Sequence, residues 1–143
     1  MNTQTWRDLV DLLTPEQVAQ LEYCEREKIP PGMADPEHHL NCAHMMVRHN
    51  FIQRLCADVA PPADAIGELG EWNEWDDGYG RVYTVADRVV GAMSVKILGV
   101  QFDDGRTERS ILAGDIEEMT GEEARQLAQV LIAAADELEG STR

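Results

Sequence analysis

The residue types that offer the most chemistry are histidine and cysteine, and every one of them lies between Cys24 and Cys56. Protein zinc sites use nitrogen and sulfur donors in a tetrahedron, so a cluster of this kind raises zinc first. His38 and Cys42 are four residues apart, one turn apart on the same face of a helix. In an antiparallel helix pair Cys24 reaches a similar depth, within roughly 3 Å at about 1.5 Å of rise per residue. The candidate zinc ligands are therefore Cys24, His38 and Cys42.

The spacing offers no fourth ligand for this set. His49 and Cys56 follow at steps of seven residues, about 10 Å of helical rise each, which is too far for one ion. No CxxC pair is present. A free cysteine also packs as a small hydrophobic residue. Our first interpretation is a packed apolar face with no metal and no cofactor, and the alternative is a zinc-stabilised regulatory domain.

No catalytic signature accompanies these residues. The run Glu37–His39 invites a general acid or base role, but acids at a helix start are mostly caps. The chain has no HExxH, no G-x-S-x-G, no P-loop and no G-x-G-x-x-G, the motifs that would supply a metal, a nucleophile or a phosphate cradle. We expect a protein without enzymatic activity.

Three helices are predicted in residues 1–60, and they must position the histidines and cysteines. The first covers residues 6–13, with Trp6, Leu9, Val10 and Leu13 on its inner side. The second begins at Thr14-Pro15-Glu16-Gln17, a capping box with proline at the first helical position, and runs to about Lys28. The third begins at Asp35-Pro36 and runs to about Ala57. The second and third helices should pair as an antiparallel hairpin.

The third helix has two apolar stripes instead of one. The first stripe consists of Leu40, Ala43, Val47, Phe51 and Leu55. The second consists of His38, Cys42, Met45, His49, Ile52 and Cys56. A helix of this kind is sandwiched or forms a dimer, so Met45 and Ile52 are candidate interaction residues and we expect a homodimer.

Residues 61–80, PPADAIGELGEWNEWDDGYG, are acidic and aromatic and contain no lysine or arginine. The prolines and glycines predict a linker. Aromatic side chains among carboxylates can anchor a partner while the charge steers its approach. We therefore take Trp72, Trp75 and Tyr79 as candidate interaction residues for a basic protein.

Residues 81–113 have the pattern of two or three antiparallel strands. The first is predicted over 81–90 and the second over 92–102, where the apolar alternation changes phase after Ile97 and suggests a β-bulge at Gly99. Asp103-Asp104-Gly105-Arg106 predicts a hairpin turn, and residues 107–113 form the returning strand.

The last helix is predicted over Thr120–Glu139. Thr120 and Glu123 form a capping box. Apolar residues then recur at three- and four-residue steps, which places them on one buried face. This face consists of Ala124, Leu127, Ala128, Leu131, Ala134, Ala135 and Leu138.

Composition excludes several partner classes. The net charge of −15, from 27 acids and 12 bases, argues against direct nucleic-acid binding, which depends on lysine and arginine. The same charge suits an acidic DNA mimic that would occupy a nucleic-acid-binding protein. No run of eighteen apolar residues and no signal-peptide h-region is present, so we expect no membrane contact and a cytoplasmic protein. Three cysteines at irregular spacing are expected to be reduced.

Two stretches resemble a known group of proteins. The region from Val95 through GVQFDDGRTERSI to ARQLAQVLIAAADELE is similar to the C-terminal part of small uncharacterised proteins of mycobacteria, related actinobacteria and their phages. The opening TWRDLVDLLTPEQVAQLE is similar to the start of some of them. The shared features are a strand, a DG turn and a capped helix. The resemblance implies a lineage and an α+β fold, and it carries no functional residue.

The sequence therefore predicts an α+β protein with an N-terminal helical hairpin and a short antiparallel β-meander packed on a C-terminal helix. Residues 1–60 are helical, 61–80 form the linker, and 81–143 form the sheet and last helix, together in one compact unit. The expected function is non-catalytic binding of another protein, as an accessory or regulatory factor.

Overall fold

The structure is a computed structural model that describes residues 4–29, 31–32, 35–76, 78–115 and 117–140. It divides into two compact units, Met1–Ala57 and Asp58–Arg143, where the sequence suggested one. The segment 61–80, predicted as a linker, belongs to the second unit. Each of the three predicted regions contains at least one residue outside the described ranges.

The first unit is helical, as predicted. It contains a 3₁₀ helix (Trp6–Leu12), α1 (Pro15–Glu27) and α2 (Pro36–Leu55). The capping box at the start of α1 is present: the Gln17 N–H donates to Thr14 Oγ1 at 3.2 Å, and the Thr14 N–H donates to Gln17 Oε1 at 2.9 Å. Asp35 caps α2 by accepting the His38 N–H at 2.7 Å. Local cap chemistry thus sets where both helices begin.

The core of the first unit is formed by one side of each helix. Its buried members are Trp6, Leu9, Leu21 and Ala43, with Leu13, Val18, Leu40, Cys42, Met46 and Val47 packed around them. Val10, predicted on the inner side, is exposed, because a 3₁₀ helix has three residues per turn and aligns Trp6 with Leu9. Gln17 and Asn50 exchange side-chain hydrogen bonds of 3.0 and 2.8 Å. These bonds join the start of α1 to the end of α2, so the two helices are antiparallel.

The described residues of the second unit contain a four-stranded antiparallel sheet in the order β1-β2-β3-β4. The strands are β1 (Asn73–Trp75), β2 (Gly78–Val90), β3 (Met93–Phe102) and β4 (Thr107–Gly114), followed by α3 (Gly121–Gly140). The predicted turn between β3 and β4 is confirmed: the Gly105 N–H donates to the Phe102 carbonyl at 2.9 Å, and Gly105 has a φ of +91°. Strand β1 comes from the predicted linker.

The predicted bulge at Gly99 is wrong. Pairing between β2 and β3 is continuous at Gly99, which faces Tyr83, and the register shift lies in β2 between Thr84 and Ala86. Gly99 is needed for another reason. A Cβ at Gly99 would lie 2.2 Å from Cζ of the Tyr83 ring, so only glycine leaves room for this buried tyrosine to lie across β3.

Helix α3 covers one face of the sheet, and its capping box is confirmed by reciprocal bonds of 3.2 and 3.1 Å between Thr120 and Glu123. The buried core there consists of Val90, Met93, Val95, Ile97, Leu127 and Ala134. Ala124 and Ala128, predicted to be buried, are exposed, and Val130 packs on the core instead. Ala128 points about 100° away from Leu127, so the buried stripe is narrower than the apolar pattern.

We predict that Gly99→Ala lowers the free energy of unfolding by about 1–3 kcal/mol, because the new methyl group forces the Tyr83 ring out of place. Gly114→Ala is the matched control, since its Cβ would meet Ser94 Oγ at an ordinary 3.6 Å. Urea unfolding of both variants measures the effect. Equal stability of the two variants would show that Tyr83 does not depend on Gly99.

Candidate functional site

The acidic aromatic segment lies along the edge of the sheet in the second unit. The Ile66 N–H donates to the Thr84 carbonyl at 2.8 Å, and the Gly70 N–H donates to the Val82 carbonyl at 2.8 Å. Further on, β1 pairs with the start of β2 through Asn73 and Gly80. These backbone bonds fix the segment in place, which explains why it is not a free linker.

Trp72 is a structural residue. It is 4 % exposed, and the Arg81 guanidinium lies 4.5 Å from the centre of its ring. Arg81 also donates to Gln101 Oε1 at 2.9 Å and to the Val59 carbonyl at 3.3 Å. Because it is buried in this way, Trp72 does not present a contact surface, in contrast to the prediction.

Trp75 lies on the sheet surface and is 43 % exposed. Its ring covers Gly80, where a Cβ would approach Trp75 Cδ1 to 2.7 Å. The ring meets Phe102 edge to face, with centroids 6.0 Å apart. The indole is therefore held in one place by its neighbours while keeping much of its surface in solvent. Tyr79, the third predicted aromatic residue, is half-buried.

Trp75 stands at one end of an apolar sheet face opposite α3. The same Cβ position at Gly80 that meets Trp75 lies 3.2 Å from Val100 Cγ1, and Val100 pairs directly with Val82. Val82 is 43 % exposed and Leu112, on β4, is 51 % exposed. We call the surface formed by Trp75, Val82, Leu98, Val100 and Leu112 the open face. Among the described residues of this unit, no helix covers it.

The negative charge of the chain is concentrated in the second unit. Residues 58–143 contain 19 acids and 7 bases, a formal charge of −12, whereas residues 1–57 contain 8 acids and 5 bases, a charge of −3. Exposed carboxylates lie on β1, directly after β1, in the turn between β3 and β4, and on β4: Glu74, Asp76, Asp103, Asp104 and Glu108. The apolar side chains of the open face thus alternate with charged ones, since Glu108 lies beside Val100 and Lys96 beside Leu112, and further carboxylates lie at the end of the sheet near Trp75.

Helix α2 carries the other predicted interaction residues. Met45 is 73 % exposed, as expected for a contact residue, whereas Ile52 is buried. Phe51 and Leu55, one turn apart, are each more than half exposed. Neither of the two predicted stripes is buried along its full length. The large apolar side chains of α2 that remain exposed are Met45, Phe51 and Leu55.

The histidines and cysteines of the zinc alternative surround one cavity of the first unit. The cavity has a volume of about 190 Å³ and is lined by Gln20, Leu21, Cys24, Ile29, His38, His39, Cys42 and Met46. His38 Nε2 and Cys42 Sγ are 3.6 Å apart. As the side chains lie, no group of three or more His, Cys, Asp or Glu within the described residues could hold a metal ion. The predicted ligands therefore line one cavity but do not form a complete metal site.

His39, which the sequence did not predict as a zinc ligand, lines the same cavity. Its side chain is 3 % exposed, and Nε2 has no hydrogen-bond partner among the described residues. One signal for its burial was available, since His39 precedes Ala43 by four residues and so shares the helix face of the core. The lack of a hydrogen-bond partner for Nε2 among the described residues depends on tertiary packing, and no sequence pattern indicates it.

Glu25 fixes the 3₁₀ helix to the end of α1 that borders this cavity. Its carboxylate accepts two hydrogen bonds from Arg7, at 2.9 and 3.0 Å, and one from the Trp6 indole N–H at 2.7 Å. The Arg7 guanidinium, with the Trp6 indole, lowers the pKa of Glu25 to about 2. The ionised carboxylate thus favours the folded arrangement.

The chain matches no protein-family model, no curated protein and no solved structure in the three comparisons made. Among the described residues, no helix is long and apolar enough to span a bilayer.

We predict that Glu25→Gln flattens the acid limb of the stability profile. The folded pKa of about 2 lies below the reference value of 4.5, so the stabilisation is present above pH 4.5 and is lost as the pH falls toward 2. Urea midpoints at several pH values should show the largest difference between wild type and variant above pH 4.5. Arg7→Gln breaks the same pair from the other side and should flatten the profile similarly. A difference that stays constant down to pH 2 would contradict this assignment.

Proposed function

We propose that this chain is a non-catalytic protein that works by binding another protein, with the open face of the second unit as its contact surface. The main support for the proposal is the position of Trp75. Its indole is held in place over Gly80 and against Phe102, yet the residue is 43 % exposed. Rigid aromatic side chains of this kind are the commonest energetic anchors of protein interfaces. Val82 and Leu112 extend the apolar contact area beyond the anchor.

The partner that fits this surface is a basic protein segment with apolar side chains. The second unit has a formal charge of −12, and exposed carboxylates flank Trp75 at Glu74 and Asp76. Such a field accelerates the approach of a cationic partner and repels nucleic acid. If the partner is itself a DNA-binding protein, the chain acts as a DNA mimic, which is a more specific form of the same proposal.

A reducing compartment suits the proposal. Cys24, Cys42 and Cys56 are free thiols, and free thiols are usual in cytoplasmic proteins. We therefore propose a cytoplasmic accessory or regulatory factor. The actinobacterial and phage lineage implied by the resemblance stays a prediction.

Trp75→Ala should weaken binding of a basic peptide about 30-fold, the effect of losing a hot-spot aromatic residue worth about 2 kcal/mol. The peptide is selected from a displayed random library on the immobilised wild-type chain, and we expect it to be enriched in Lys and Arg. Isothermal titration at several salt concentrations measures affinity, which should fall as salt rises.

Tyr23→Ala is the matched control, because Tyr23 is an aromatic residue of similar exposure on α1 of the first unit. Selected peptides without basic residues, or equal affinity for the two variants, would contradict the proposal. Competition by duplex DNA for a natural partner would identify the DNA-mimic form.

We also propose that the chain forms a homodimer through the exposed apolar residues of α2. The first unit has a formal charge of only −3, so two copies repel each other least there. Phe51 and Leu55 supply adjacent apolar side chains on one helix face, and Met45, on the other stripe of α2, is also exposed.

We predict that the double variant Phe51→Ser, Leu55→Ser is monomeric in native mass spectrometry at a concentration where the wild type is dimeric. Ile132→Ser, which removes an exposed apolar side chain of α3, is the control and should stay dimeric. A monomeric wild type, or a dimer unaffected by the double variant, would rule out association through this surface.

A further inference from the structure

We propose that Cys24, His38, His39 and Cys42 form a structural zinc site that fastens α1 to α2. All four residues belong to the first unit, and the site is independent of the binding surface in the second. Two thiols and two imidazoles make the Cys₂His₂ donor set that is common in structural zinc sites.

The four donors come from two helices but line one cavity. Cys24 lies on α1, and the other three residues lie on the first two turns of α2. The cavity, of about 190 Å³, has room for an ion among these side chains. An ion held there would join helices that are otherwise held together by apolar packing and the hydrogen bonds between Gln17 and Asn50.

Two of the donors already have the separation of zinc ligands. With Zn–N of about 2.05 Å and Zn–S of about 2.3 Å, two ligands of a tetrahedron lie about 3.6 Å apart. His38 Nε2 and Cys42 Sγ are 3.6 Å apart. These residues are one helical turn apart, so the helix backbone maintains their spacing.

His39 supplies the fourth donor that the sequence pattern lacked. A buried ring nitrogen without a hydrogen-bond partner is costly to maintain, and such groups are rare in folded proteins. Its Nε2 has no partner among the described residues, although the side chain is 97 % buried and borders the cavity. Metal coordination would satisfy this atom.

Closing the site requires side-chain rotations of Cys24 and His39. No three donors of the described residues now surround a common point, so Cys24 and His39 must turn toward the pair formed by His38 and Cys42. Both changes are between staggered or two-fold side-chain positions. The backbone next to Cys24 is held by the contacts of Glu25 with Arg7 and Trp6. On binding, both thiols release their protons to solvent and coordinate as thiolates.

The test is titration of the chelator-treated full chain with Zn²⁺, followed by titration with Co²⁺ as a spectroscopic probe. We expect one ion per chain, visible Co²⁺ bands of tetrahedral intensity, a near-ultraviolet thiolate band, and a higher melting temperature with Zn²⁺. Cys24→Ser, Cys42→Ser and His39→Gln should each lower Zn²⁺ affinity at least about a hundredfold, since even outer-shell changes cost 10–100-fold.

His44→Gln is the control, because His44 is an exposed histidine of α2 and its loss should leave the affinity unchanged. Circular dichroism checks that each variant is folded. If His39→Gln fails to fold, the half-buried His38 tests the same site as His38→Gln. A chain that binds neither ion, or binds equally tightly after Cys24→Ser and Cys42→Ser, would overturn the proposal.

Discussion

A β-sheet has two faces, and in the second unit α3 covers one of them. Burial of Met93, Val95 and Ile97 under Leu127 and Ala134 fixes which side of β3 is the core. Because side chains alternate along a strand, Leu98 and Val100 must then point the other way. Leu98 and Val100 therefore lie on the open face because the other side of β3 is buried under α3. A strand with apolar residues on both faces is typical of a sheet that is covered twice, and we propose that a partner provides the second cover.

We propose different roles for the two units on the basis of their charge. The second unit holds most of the negative charge, and we propose that its open face binds a cationic partner rather than another copy of itself. The first unit has a formal charge of only −3. It exposes Phe51 and Leu55 without a comparable field, which suits self-association. Its cavity with Cys24, His38, His39 and Cys42 has an internal function in our account, the stabilisation of the pairing between α1 and α2.

The helix starts could be predicted from the sequence because caps are local. Thr14 with Gln17, Asp35 with the N–H of His38, and Thr120 with Glu123 each act over three residues, and the structure confirms all three. The fold class was predictable for the same reason, since helical and strand periodicities are properties of short windows.

The predictions that the structure contradicts depend on contacts between residues that are distant in the chain. Residues 61–80 have a linker composition, and only their pairing with β2 makes them part of the sheet. The apolar alternation changes phase after Ile97, which predicts a bulge from the sequence. In the structure the change arises because β3 has apolar residues on both faces. Trp72 and Trp75 have similar neighbours in the sequence, but Trp72 is buried beside Arg81 and Trp75 lies partly exposed over Gly80. The unpaired nitrogen of His39 likewise depends on its tertiary neighbours.

NMR can show whether a protein segment binds at the open face. The indole N–H and Val and Leu methyl signals of the labelled chain are followed while the selected basic peptide is added. We expect the signals of Trp75, Val82, Val100 and Leu112 to shift together and saturate, while those of Trp6 and Trp72 stay in place. Shifts confined to residues of the first unit, or spread over the chain without saturation, would contradict it.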